Sequence, residues 1–184
     1  MSKLYYMSIG YPLGLCELES LERVFNVELE GNFVGLTSND YNVWKYCFFD
    51  VKEESDIKNN FDFDVSKSLG NLMDNKLLIQ LDFSDIDSTF NKLRILTPVK
   101  NGFGIGLNKD DKYEILNQGN PFIVNSDQFR VWAECDNRKM NKDIFGKLFK
   151  GDDKNTKIYF INIILALKTL DLIRINRREK VSKS

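Results

Sequence analysis

Six lysines crowd one short stretch of this chain, Lys139, Lys142, Lys147, Lys150, Lys154 and Lys157, and Arg174, Arg177, Arg178, Lys180 and Lys183 follow it. Cations gathered in this way suit a polyanion: each can neutralise a phosphate and release a counterion, which makes binding strongly salt-dependent. The opposite charge collects near the other end, where Asp50, Glu53, Glu54, Asp56, Asp62 and Asp64 fall within fifteen residues. Such a face could dock a basic protein, imitate nucleic acid or serve as a dimerisation surface. A solvated charged surface, common in a chain rich in Lys, Asn and Asp, accounts for either cluster equally well.

Other chemistry is poorly provided. The chain has no histidine, so the commonest general base, the commonest metal ligand and every Ser-His or Cys-His nucleophile are missing. The glycines of GYPLGL (10–15) and GFGIGL (102–107) do not fit G-x-x-x-x-G-K-[ST] and do not open a helix, so they read as strand and turn glycines. Asp62 and Asp64, and Asp82, Asp85 and Asp87, lack the twelve-residue calcium-loop pattern. Three cysteines with no CxxC spacing read as reduced thiols. We expect a non-enzymatic protein with no cofactor and no bound metal. No apolar run approaches the roughly 20 residues of a membrane span and no signal-like segment opens the chain, so a cytoplasmic protein is expected.

The charges are unevenly divided. Residues 1–88 hold 7 Lys+Arg against 16 Asp+Glu, and residues 89–184 hold 19 against 11, so a net charge of −1 conceals halves of −9 and +8. That asymmetry points to a polyanion partner for the basic half, or to attraction between the halves.

The elements that must carry these charges come in two copies. GNFVGLTSNDYNVWKYC (31–47) reads over GNPFIVNSDQFRVWAEC (119–135) without a gap, at an offset of 88, and GYPLGL over GFGIGL at an offset of 92. Internal repetition of this kind implies one unit used twice. In the second copy, residues 103–107, 112–116 and 121–124 predict a small antiparallel meander separated by turn chemistries. Ser126 then caps a helix running to about residue 136. A short helix in MNKDIFGKLFK follows, then a long apolar helix over 156–172 that must be central to a core, and a strand at 173–175. The first copy predicts strands over 5–15, 25–29 and 33–36 and a helix capped by Thr37 or Ser38. An acidic insert at 51–64, a helix over 65–75 and the strand LLIQL complete it. Trp44 and Trp132, with Cys47 and Cys135 three residues later, read as matched core positions.

Strands, then a helix opening on S-x-x-[FY]-x-V-W, then a second helix and a long apolar helix ending in L-x-L-I, resemble the winged-helix superfamily in its PqqD-like form. The turn after the first helix, usually acidic then Gly in such proteins, is here Asp136-Asn137 and Asp50-Val51. The resemblance implies an α+β fold: two tandem copies of an antiparallel β-meander followed by three helices, packed as a pseudo-symmetric pair. Its boundaries would be an acidic repeat at 1–83, a polar linker at 84–92, a basic repeat at 93–176 and a flexible basic tail at 177–184. The fold serves DNA-binding regulators, leader-peptide recognition domains and protein adaptors. A DNA-binding regulator would place Lys139, Lys142, Lys147, Lys150, Lys154, Asn155, Lys157, Arg174, Arg177 and Arg178 on the nucleic acid, with assembly or partner docking through Asp50, Glu53, Glu54, Asp56, Asp62 and Asp64. The start of the third helix offers Asn155, Thr156, Lys157 and Tyr159 for base readout and no Arg. An adaptor would bind a protein or peptide, including a leader peptide or a host protein to be inhibited, without nucleic-acid contact, and a peptide could add a strand to the meander edge. A homodimer is a further candidate assembly.

Overall fold

The computed structural model describes residues 3–17, 23–136 and 138–177. Arg178, Lys180 and Lys183 lie outside the described residues, as do Asn137 and the side chain of Cys16. The fold is α+β, and Met1–Ser84 and Asp85–Ile175 belong to two separate compact units.

The first unit opens with β1 (Tyr5–Ser8) and β2 (Tyr11–Glu17), and continues through β3 (Arg23–Leu29), β4 (Asn32–Leu36), α1 (Ser38–Tyr46), β5 (Lys52–Glu53), α2 (Glu54–Asn60), α3 (Val65–Asp74) and β6 (Leu78–Leu81). The single strand expected over 5–15 is broken at Gly10, which takes φ +95°. β2, β3 and β4 form one antiparallel sheet with β3 in the middle, and β1 lies between β5 and β6 in another. The acidic insert is structured: α2 buries Ile57 and turns its charges outward.

The second unit runs α4 (Ile86–Arg94), β7 (Thr97–Lys100), β8 (Phe103–Leu107), β9 (Tyr113–Asn117), β10 (Asn120–Val124), α5 (Ser126–Glu134), α6 (Asn141–Leu148), α7 (Lys154–Thr169) and β11 (Ile173–Asn176). β9 is the centre of a three-stranded sheet, and β7 pairs with β11. α5 is capped by Asn125, not Ser126: the Asn125 side chain accepts from the Gln128 amide, and Gln128 accepts from the Asn125 amide in return. This is a capping box, which satisfies two otherwise orphaned donors. α7 starts at Lys154, two residues before expectation, because Asp153 accepts from the amides of Asn155 and Thr156.

The largest departure from the sequence reading is α4. Residues 84–92 are not a polar linker. Asp85 caps α4, and Thr89, Phe90 and Leu93 are buried on one face of it. The Phe90 ring lies 4.8 Å from Phe145 and 6.4 Å from Phe160. Asn141 ties the end of α4 to the start of α6, its Nδ2 donating to the Leu93 carbonyl and its amide to that of Leu96.

The two units share fine detail. The hairpin turns Glu30-Gly31 and Gln118-Gly119 both take positive φ at both residues, the conformation that matches the twist of a two-residue hairpin. α3 and α7 each end in a left-handed residue, Lys76 or Asp171, after which the amide of Leu77 or Leu172 reaches back to Leu72 or Leu167. Trp44 Nε1 donates to the Ile9 carbonyl at 3.0 Å, and Trp132 Nε1 to the carbonyls of Asn101 and Leu172 at 3.2 and 3.0 Å. Both indoles are buried and act as core pins with a satisfied N–H. Cys47 and Cys135 are buried and in no disulfide, and burial pushes Cys135 well above its ordinary pKa. Among the described residues no helix is long and apolar enough to cross a membrane.

Candidate functional site

The unit boundary changes the charge arithmetic. Asp85 and Asp87 belong to the second unit through α4, and several cations lie beyond Ile175. Asp85–Ile175 holds 15 Lys+Arg against 12 Asp+Glu, a net of +3, while Met1–Ser84 holds 7 against 14, a net of −7. Asn176–Ser184, grouped with the first unit, add 4 Lys+Arg against 1 Asp+Glu and bring that unit to −4, so its acidity is concentrated in residues 1–84.

The cations proposed for nucleic acid gather around α5, α6 and α7, and the fold pairs four of them locally. Lys139 donates to Glu134 Oε2 at 2.8 Å and lies 3.9 Å from Asp136, while Lys147 donates to Glu134 Oε1 at 2.6 Å. Hydrogen bonds from the two ammonium groups hold the Glu134 carboxyl below the usual carboxylate range, and Glu134 in turn raises Lys139. Lys157 donates to Asp87 at 2.8 Å, lies 3.4 Å from Asp152 and rests 5.6 Å from the centre of the Phe90 ring, with its side chain only 14% exposed. Its hydrogen bond to Asp87 raises the lysine and lowers the carboxylate. Arg174 Nε stands 3.7 Å from Asp171, and Arg177 is half-buried. Lys142, Lys150 and Lys154 are exposed and form no ion pair among the described residues. Asn155 is exposed beside Lys154 at the start of α7, but Thr156 donates its hydroxyl to Asp153 and Tyr159 donates to Asp127. Three free lysines and one amide are a small supply for phosphate contacts, because affinity grows with the number of phosphates neutralised.

The acidic candidates divide similarly. Asp50 pairs with Lys52 at 3.1 Å and Glu53 with Lys3 at 2.9 Å; Glu54 pairs with Lys58 and accepts from the Tyr6 hydroxyl. Asp64 is the cap of α3, accepting from the Ser66 amide at 3.0 Å. Asp56 and Asp62 are exposed and make no salt bridge among the described residues.

What the sequence reading missed is apolar. In each sheet the register slips by one residue, between Pro12 and Gly14 in β2 and between Gly104 and Gly106 in β8. The residue skipped is Leu13 in one case and Ile105 in the other, and they are 51% and 55% exposed. A β-bulge re-aims a side chain in this way. Leu15 and Leu107, two residues on, are exposed in both units, as are Phe33, Phe103 and Ile123, with Phe103 at 78%. A signal was present in the sequence: glycine inside an apolar strand, Gly14 in β2 and Gly104 and Gly106 in β8, often marks a bulge.

A second feature belongs to the first unit alone. Tyr46, Phe49 and Phe61, with Lys45, Asp50 and Lys52, line a cleft of about 440 Å³. Among the described residues, no group of three or more His, Cys, Asp or Glu is placed to hold a metal ion. Comparison with family models, curated proteins and solved structures gave no match.

Proposed function

We propose that this chain is a non-enzymatic adaptor that captures a polypeptide partner through the bulged edge strands β2 and β8. The observation that supports this reading is the display of Leu13 and Ile105 at matched bulges, each backed by a second exposed leucine, Leu15 or Leu107. Leaving such side chains in water forgoes about 1.5–3 kcal/mol each relative to full burial, and a contiguous exposed apolar patch is a usual mark of an interaction site. A bulge also interrupts the ladder, so side-chain docking is favoured over simple addition of a strand.

DNA contact through the second unit is the alternative, and the exposed group Lys142, Lys150, Lys154 and Asn155 is what supports it. Against it stand the pairing of Lys139, Lys147, Lys157 and Arg174 and the net charge of +3.

One experiment separates the readings. The full chain, tagged and recovered from cells of its own source, should bring a polypeptide with it, and Leu13→Asp with Ile105→Asp should reduce that recovery at least about tenfold while circular dichroism stays unchanged. Fluorescence anisotropy with a labelled duplex at physiological salt should show no binding tighter than about 1 µM, the limit of the non-specific range. Nanomolar duplex binding that disappears in Lys142→Glu/Lys150→Glu/Lys154→Glu would reverse the choice.

A further inference from the structure

The aromatic cleft of the first unit has a chemistry that neither the bulged strands nor the charge clusters explain. Tyr46, in the last turn of α1, meets Phe61 edge-on at 5.7 Å, and Phe61 packs on Phe63 at 5.2 Å. Phe49, just beyond α1, leans on buried Phe48 at 4.9 Å and is itself 50% exposed. The Lys52 ammonium sits 5.3 Å from the centre of the Tyr46 ring and is neutralised by Asp50 at 3.1 Å. Lys45 is different: it is exposed in the last turn of α1 and forms no ion pair among the described residues. The cleft therefore offers aromatic walls to a flat apolar group and one unmatched positive charge at its rim.

The second unit does not repeat it. At the offset of 88, Lys45 corresponds to Ala133 and Tyr46 to Glu134, and Glu134 is occupied by Lys139 and Lys147. At those two positions the second unit therefore lacks both the lysine and the ring.

The charge of the surroundings narrows the ligand. Residues 1–84, which build the cleft and its surroundings, carry a net charge of −7 and disfavour a polyanion, so a stacked base on a phosphate backbone is a poor occupant even though rings and a lysine would suit one. A single carboxylate beside an aromatic ring carries only one charge into that field, and Lys45 is placed to offset it. We propose that this cleft receives an aromatic side chain of the partner polypeptide next to an acidic residue, with the ring held by Tyr46, Phe49 and Phe61 and the carboxylate by Lys45. This rests on the adaptor reading above and names the partner's anchor.

Amide NMR of the full chain tests it with defined probes: acetyl-Trp-Glu-amide, acetyl-Trp-Gln-amide, acetyl-Leu-Glu-amide and a thymidine tetranucleotide. The Trp-Glu probe should shift the amides of residues 45–52 and 60–61. It should bind about threefold more tightly than Trp-Gln, the worth of one exposed ion pair, and about tenfold more tightly than Leu-Glu, as loss of the ring contacts implies. Lys45→Gln should make Trp-Glu and Trp-Gln bind equally, a signature that a general loss of structure would not give, and Phe49→Ala should abolish both. Equal binding of Leu-Glu, tighter binding of the tetranucleotide, or no shift in this cleft overturns the proposal. If polypeptide recovery in the Leu13/Ile105 experiment also survives Phe49→Ala and Lys45→Gln unchanged, the cleft proposal alone falls. If wild-type chain recovers no polypeptide, the adaptor reading fails and takes this one with it.

Discussion

Replacing Phe90 with alanine is expected to destabilise the second unit by about 4 kcal/mol, the usual range for removing a buried phenyl ring. Phe90 is the residue through which α4 enters the core: it is buried, and its ring sits edge-on to Phe145 and Phe160. Those rings also meet one another at 5.3 Å, and Phe149 stacks on Phe145 at 5.7 Å, so the cluster cannot close over the space left behind without moving α6 and α7 together. Hydrogen exchange at the amides of Ile163 and Leu167 in α7 reads the change directly. A linker residue would shift protection by no more than about 0.5 kcal/mol, and that result would remove α4 from the unit and restore its two aspartates to the acidic half.

Gly102→Ala is expected to cost about 3 kcal/mol or more, from two additive sources of strain. Its φ of +90° disfavours any L side chain, and an added Cβ would lie 2.5 Å from the Leu116 carbonyl oxygen, a backbone atom that cannot swing aside. Gly106 is the control, since it has a similar φ of +88° but open space around a new Cβ; alanine there should cost only the conformational part, about 1–2 kcal/mol. The difference between their denaturant midpoints isolates the steric clash. Gly10 stands in the same situation in the first unit, with φ +95° and the Glu28 carbonyl oxygen at 2.7 Å. Gly10 and Gly102 immediately precede β2 and β8.

The α+β character, the meanders and the matched tryptophans could be read from the chain because they rest on local signals: alternation, turn residues and an aromatic at a fixed distance from a cysteine. α4 could have been read too. Ile86, Thr89, Phe90 and Leu93 follow the i, i+3, i+4, i+7 spacing of an amphipathic helix, but the polar residues between them, and a threonine doing the work of an apolar residue, made the stretch look like a linker. The error spread to function, because a charge boundary drawn at residue 88 cuts through this helix. The ion pairs of Lys139, Lys147 and Lys157 were beyond reach for another reason. Lys157 meets Asp87 across 70 residues of sequence and Lys147 meets Glu134 across 13, and a count of charges holds no information about which of them the fold brings together. The exposed apolar residues were hidden by the same logic in reverse. A hydrophobic strand suggests burial, and the edge position of β2 and β8, which leaves Leu13, Leu15, Ile105 and Leu107 exposed, is set by pairing that local sequence does not contain.

Lys139, Lys147, Lys157 and Arg174 are thus engaged by carboxylates within the second unit, and what each unit displays alike is a set of exposed apolar side chains on an edge strand. Site-specific photocrosslinking tests this most directly. p-Benzoylphenylalanine placed at Leu13 or Ile105, and in separate chains at Lys142 or Lys154, would be irradiated in cells of the native source and the adducts treated with protease or nuclease. Positions 13 and 105 should yield discrete adducts that protease removes and nuclease leaves intact, with little at 142 and 154. Nuclease-sensitive adducts at 142 and 154, with none at 13 and 105, would contradict the assignment of a polypeptide-binding adaptor and return the function to nucleic acid.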